Sequence, residues 1–328
     1  LPLLTKLTRL QIEELLKQNF DVGALHKVFK VKSGWNNTLF KVTTSHGDFF
    51  LKVYEESDPI QVMAEHEVLS HLLKIKFPTA GIIKTRNKEG VVVFEEKLVG
   101  LFVALNGTPL KTNPLKSVLG FRIVTLVNLL HKTDFSDFIY LQKHDLAEEI
   151  EQSTSWYLND HRLEHFRDQL NKLYGRFSNI SFQSLTKGVV HNDLGTDNFL
   201  VNGNNIAGLI DFDQVALGSV INDLAIFFAR SINLNMYSVN EFTVDAIRFV
   251  LDYEKKTELT RDDLKSIVPL IVFQKFLILI KLKQNLRDKS LKADLYNFEE
   301  YSKLVENELE LLFRNYDKIE NEFNRYLS

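Results

Sequence analysis

The 328-residue chain has no cysteine. That excludes a disulfide framework and any thiolate-bound zinc. It also fits a reducing compartment, so the expected location is the cytoplasm. There is no basic surplus: 40 basic against 43 acidic residues give a formal net charge of −3. Such a balance leaves no electrostatic footprint for nucleic acid. Nor is any run apolar enough to suggest a membrane partner. The nearest approach, residues 267–282 (IVPLIVFQKFLILIKL), carries Gln274 and Lys275 in its middle and Pro269 near its start. It reads as a buried core helix. The opening LPLLTKLTRL is broken by a lysine and an arginine and lacks a signal-peptide pattern. Repeats and low-complexity segments are absent. What remains is ordinary: 45% apolar and 25% charged residues, in a length that suits one large or two ordinary domains.

The informative stretch runs from Gly188 to Ala229. An apolar pair, Val189-Val190, delivers His191-Asn192-Asp193, and four residues then separate Asp193 from Asn198. A short apolar strand (199–201) follows. Asn202-Gly203-Asn204-Asn205 has hairpin-turn chemistry, and the return strand (206–210) ends on Asp211-Phe212-Asp213. A hairpin sets the end of its second strand beside the start of its first. This allows Asp193, Asn198 and Asp211 to converge across 18 positions of sequence. Three hard oxygen donors at strand ends match phosphoryl transfer with magnesium, in which one carboxylate takes the proton of the attacking hydroxyl while an amide and a second carboxylate hold the metal. The alternative is that these Asp and Asn residues simply serve turns; their joint spacing argues against it.

Upstream, Thr8 to Gln11 forms a capping-box pattern before a helix. Residues 26–34, 37–44 and 49–55 read as three antiparallel strands. Lys52 lies inside the third, either solvated or gripping phosphates. Asp58-Pro59 caps a helix running to about Ile75. Glu65, Leu69 and Leu72 share one face of it, so Glu65 is the expected partner of Lys52 and Glu67 the reserve. Residues 81–86 and 91–97 read as two further strands. Leu115 to His131 and Ala147 to Phe177 are helical, and four helices follow from Glu241. His161 and His165 lie four apart without the glutamate of a metalloprotease pattern, and they are expected on a solvated face.

The segments His191-x-Asp193-x4-Asn198 and Ile210-Asp211-Phe212-Asp213, with Asn222-Asp223-Leu224-Ala225 after them, resemble those of the aminoglycoside phosphotransferase and choline kinase group. A protein kinase would carry H-R-D and D-F-G here. The resemblance implies an α+β, two-lobed protein-kinase-like fold. An N-terminal antiparallel β-sheet lobe would span 1–97 and a larger, mainly helical lobe 98–328. It implies magnesium-dependent transfer of the γ-phosphate of ATP or GTP to a hydroxyl of a small molecule: an aminoglycoside, amino alcohol, homoserine-like or sugar acceptor.

In that scheme Asp193 is the catalytic base, supported by Lys52 and Glu65. Asn198, Asp211 and Asp213 face the metal, though Asp213 also reads as a polar strand end. Ser33, Gly34, Asn37 and Thr38 cover the phosphates, although a single glycine there departs from G-x-G-x-x-G. Phe94 to Gly100 resembles the purine hinge, with Glu96 and Leu98 as its contacts, and Ala104 to Gly107 is the rival alignment. His131 is expected to be structural. Asp223 either caps its helix or holds the backbone of the catalytic loop. The other reading is a catalytically inactive, kinase-shaped nucleotide-binding or scaffold protein. It should lack one of Lys52, Asp193, Asn198 or Asp211, and all four are present.

Overall fold

The computed structural model describes residues 5–31, 37–56, 58–111, 114–115, 118–158, 161–233, 237–285 and 295–327. Two compact units emerge. One comprises Leu1–Thr108, Asp137–Leu141 and Leu200–Val215; the other comprises Pro109–Ser136, Gln142–Phe199 and Ala216–Ser328.

The first unit is built on a sheet. Helix α1 (Arg9–Asn19) starts at Thr8, whose hydroxyl accepts from the Gln11 N–H while the Gln11 side chain answers the Thr8 N–H. This reciprocal box satisfies two amides that the helix leaves unpaired. Strands β1 (Leu25–Lys30), β2 (Asn37–Thr44) and β3 (Gly47–Tyr54) form an antiparallel meander. Helix α2 (Pro59–Lys74) follows, with the Asp58 side chain accepting from the Ile60 N–H and proline at the first turn. Strands β4 (Val91–Phe94) and β5 (Lys97–Val103) complete a five-stranded sheet in the order β1-β2-β3-β5-β4. One face of the sheet (Val42, Leu51, Val53, Val99 and Leu101) packs with Ile12, Leu15 and Leu16 of α1. Burying each such side chain contributes about 1.5–3 kcal/mol.

Residues 81–86, expected as a strand, make only an isolated bridge between Ile82 and Phe102. The strand lies instead at 97–103. The chain leaves this sheet and passes into the short strand β6 (Thr108–Pro109).

The second unit is mainly helical. It contains α3 (Val118–His131), α4 (Leu146–Leu158), α5 (Arg167–Phe177) and strand β7 (Lys187–Val190). The expected long helix over 147–177 is broken by a 3-10 turn, His161–Phe166. The hairpin of strands β8 (Phe199–Asn202) and β9 (Asn205–Leu209), which from Leu200 onward belongs to the sheet unit, turns at Gly203, whose φ of +59° suits glycine. Strand β10 (Ala216–Ser219) pairs antiparallel with β7 in the helical unit. It runs straight into α6 (Val220–Ser231), which is buried along almost its whole length. The chain ends in α7 (Val239–Glu254), α8 (Arg261–Asn285), α9 (Leu295–Arg314) and α10 (Tyr316–Leu327). Among the described residues no helix is long and apolar enough to cross a membrane. The apolar run of α8 lies in the core of its unit, with Ile267, Leu270, Phe273 and Phe276 all inaccessible.

Candidate active site

The candidate residues fall into two groups, one in each unit. In the sheet unit, alternation along β3 sends Leu51 and Val53 into the α1-facing core and turns Lys52 and Tyr54 the other way. There they meet α2. The Lys52 Nζ lies 3.0 and 3.3 Å from the two Glu65 carboxylate oxygens. It also pairs with Asp213 and sits 3.7 Å from an Asp211 oxygen. The Tyr54 hydroxyl donates to Glu65 at 2.8 Å and lies 3.1 Å from His66 Nε2. Burial works against charge on Lys52, but Asp213 and Glu65 outweigh it, so the ammonium holds its proton well more tightly than an ordinary lysine. For His66 burial wins: together with nearby Lys52 it pushes the imidazole down to about 4, so the ring is neutral.

The segment after β9 is fixed from α2 and β2. The Gln61 side-chain amide donates to the backbone carbonyls of Asp213 and Val215, both at 2.9 Å. The Asn37 amide donates to the Asp213 carboxylate. Phe212 is buried and meets the Phe77 ring edge-on. Asp211 adopts a left-handed backbone, φ +71°, a conformation that non-glycine residues hold only where their surroundings impose it. Desolvation and the adjacent Asp213 raise its proton affinity well above the usual carboxylate range.

The other expected nucleotide contacts are placed as follows. Ser33 and Gly34 lie outside the described residues. Asn37 and Thr38 are buried. The Asn37 oxygen accepts from the Glu55 N–H at 3.2 Å, and the Thr38 hydroxyl donates to the Glu55 carboxylate. Their side chains therefore brace the start of β2.

The purine-hinge expectation for residues 94–100 conflicts with the sheet. Glu95 and Glu96 form the tight turn of the β4–β5 hairpin, with φ of +47° and +65°. Leu98 sits in an interior strand, opposite Tyr54 on one side and Val93 on the other, so its main chain is committed to the ladder. The rival stretch, 104–107, is where the chain leaves β5. Glu67, the reserve partner of Lys52, instead accepts from the N–H groups of Ile139 and Tyr140 at 2.9 and 3.0 Å.

In the helical unit, Asp193 and Asn198 lie on the loop after β7. The fully buried Asp223 of α6 holds that loop by its main chain: its two oxygens accept from the His191 and Asn192 N–H groups, both at 2.8 Å. His131 Nε2 donates to Asp223 at 3.0 Å, and the Tyr253 hydroxyl completes the chain at 2.7 Å from His131 Nδ1. Burial alone would raise the proton affinity of Asp223, but His131 and the backbone donor reverse this and keep it below the ordinary value. Asn192 also has a left-handed backbone, φ +58°.

The Asn198 amide nitrogen donates to the Asp193 carbonyl at 2.8 Å and to its carboxylate at 3.3 Å. That orients the amide oxygen of Asn198 away from these bonds, as a hard donor suited to magnesium. Arg230, also on α6, pairs with Asp193 and Asp197. Among the described residues no three His, Cys, Asp or Glu side chains form a ready-made metal cage. This is compatible with a cation held by few protein groups and by phosphate oxygens.

Sequence reasoning did not single out Gln61, Tyr54, His66 or Arg230. The first two carried a faint signal: Gln61 is one turn before Glu65 on α2, and Tyr54 shares the Lys52 face of β3.

Comparison with known proteins matches residues 28–253 to the phosphotransferase enzyme family. A homoserine kinase from Methylobacillus flagellatus is 23% identical over 244 residues, covering 73% of this chain and 72% of that protein. Amicoumacin kinase hAmiN, solved with AMP-PNP, Ca2+ and Ami, shares the fold with a TM-score of 0.69 at 18% identity, over 92% of this chain and 94% of that one. Spectinomycin phosphotransferase, solved with ADP and spectinomycin, does so with a TM-score of 0.64 at 14% identity, over 94% and 98% of the two chains. With more than half its length matched by the family model, this chain belongs to the phosphotransferase enzyme family and is a small-molecule kinase.

Proposed function

We propose that the protein transfers the γ-phosphate of ATP or GTP to the hydroxyl of a small molecule, with magnesium, and that Asp193 is the base. The observation that carries this reading is the buried Lys52, braced by Glu65 and faced by Asp213 and Asp211. One ammonium among three carboxylates leaves surplus negative charge where a nucleotide's metal would be needed. Lys52 would hold phosphate oxygens. Asp211 and Asp213 of the sheet unit, and Asn198 of the helical unit, would each offer oxygen donors to magnesium, which when bound would neutralise charge on the phosphates. Asp193 would orient the acceptor hydroxyl and take its proton. Residues 104–107, beyond the end of β5, would offer the main-chain groups that receive the purine.

The relatives lend support. One is a homoserine kinase, and two solved neighbours carry a nucleotide or its analogue, one of them with a divalent cation. The acceptor class is tested by a coupled nucleotide-turnover assay with magnesium against homoserine, choline, ethanolamine, aminoglycosides, methylthioribose and N-acetylhexosamines. A hit should vanish in Asp193→Ala, because general-base catalysis typically supplies about 10²–10⁴-fold. Near-normal turnover in that variant sinks the base assignment.

A further inference from the structure

Helix α6 touches the loop of Asp193 twice. Asp223 holds its beginning through the His191 and Asn192 amides. Seven residues later, Arg230 holds the rest by side chains. One guanidinium nitrogen donates to the Asp193 carboxylate, and the other reaches both Asp197 oxygens at 2.8 and 2.9 Å. A spacing of seven is two helical turns, about 10 Å along the axis, so both residues face the same side.

Room for the guanidinium is made by Gly195. Its φ of −98° is available to any residue, so backbone freedom does not explain the glycine. Space does: a Cβ there would lie 2.3 Å from Arg230 Nε and 2.4 Å from Arg230 Cζ. The guanidinium occupies the volume that any side chain at 195 would need.

Resting on the assignment of Asp193 as base, we propose that Arg230 is a positioning residue, a planar fork that fixes the Asp193 carboxylate and locks the Asp193–Asn198 turn. A guanidinium suits this task because it binds two carboxylates in one rigid plane, which an ammonium cannot do. The pin orders the same turn whose amide hydrogen bonds run from Gly195 to the Asp193 carbonyl (2.7 Å) and from Asn198 to the Gly195 carbonyl (3.1 Å).

The test compares wild type, Arg230→Ala, Arg230→Lys and Gly195→Ala by amide hydrogen exchange and by steady-state kinetics. The kinetics use magnesium ATP and L-homoserine, with slow transfer of the γ-phosphate to water, which yields ADP and phosphate, as the readout if homoserine is not phosphorylated. Arg230→Ala should speed exchange at the Gly195 and Asn198 amides by about tenfold or more. The exchange of His191 and Asn192, held by Asp223, should change little. Turnover should fall about 100-fold, the scale of a misplaced catalytic group, while the nucleotide KM stays within about threefold. Gly195→Ala, which keeps the charge but displaces it, should reproduce the loss, Arg230→Lys should recover only part of it, and millimolar guanidinium should partly rescue Arg230→Ala.

Adding Arg230→Ala to Asp193→Ala should cost far less than the about 100-fold it costs wild type, since the arginine acts mainly through the aspartate. Unchanged loop exchange and unchanged turnover in Arg230→Ala, alongside an inactive Asp193→Ala, would overturn the proposal. An active Asp193→Ala would instead remove the base assignment, and the exchange data would still judge the pin.

Discussion

Two lysines lie buried against a glutamate, one in each unit, and their surroundings act on them in opposite directions. Lys52 of the sheet unit sits 3.0 Å from Glu65, and Lys275 of the helical unit sits 2.7 Å from Glu308. All four side chains are almost fully inaccessible. Burial disfavours charge on both ammonium groups, yet the proton affinity of Lys52 ends well above the ordinary value and that of Lys275 below it. The difference lies in the company. Lys52 faces Asp213 and Asp211 in addition to its glutamate, whereas among the described residues Glu308 is the carboxylate that pairs with Lys275, which also feels the positive Arg230. A balanced pair such as Lys275–Glu308 has the makings of a structural element. An overcompensated one such as Lys52 leaves negative charge that is relieved by a further cation or by a proton on the neighbouring Asp211.

The comparison is open to attack from both sides. The largest expected effect is on catalysis: Lys52→Met should lower turnover by about 10²–10³, with Lys275→Met leaving the turnover of the folded fraction within about threefold. Equal losses in steady-state assays would erase the distinction. Next in size is stability. Lys275→Met takes from the buried Glu308 carboxylate its ammonium partner and should cost about 3–5 kcal/mol in urea unfolding, whereas Lys275→Met with Glu308→Leu should return close to wild type, as apolar replacement of a buried pair commonly does.

The acid limb gives a smaller effect. Asp223 binds its proton less readily folded than unfolded. Its contribution is therefore complete above the ordinary carboxylate value of about 3.9 and drains away as pH falls through the lower folded value. The melting midpoint of wild type should fall more steeply in that window than that of Asp223→Asn. The smallest effect belongs to the exposed cap of α1: Thr8→Ala should cost about 1 kcal/mol and leave kinetics untouched.

Much of this arrangement was legible before the structure. Capping chemistry located α1 and α2, alternation located β2 and β3, and the Asn-Gly turn located the β8–β9 hairpin. Helical facing was enough to point Glu65 toward Lys52. The failures have physical causes. Strand β5 (KLVGLFV) is covered on both faces over most of its length, so it shows no alternation and its first half passes for a connecting segment. Residues 81–86 have strand-like composition but make one bridge only. Arg230 ends an apolar helix, where a basic residue is expected merely to complement the helix dipole. Its reach to Asp193 depends on the missing side chain at Gly195, a relation between distant positions that no local pattern carries.

The most direct test of the claim that the surplus carboxylates beside Lys52 serve a metal-bound nucleotide is calorimetric titration of a non-hydrolysable ATP analogue. It would be run with magnesium and with chelator, in wild type and in Asp211→Asn. The account predicts that magnesium strengthens binding to wild type at least about tenfold and that Asp211→Asn loses most of that gain, on the scale typical for groups that support a metal. Equal affinity with magnesium and with chelator in the wild-type protein would contradict it.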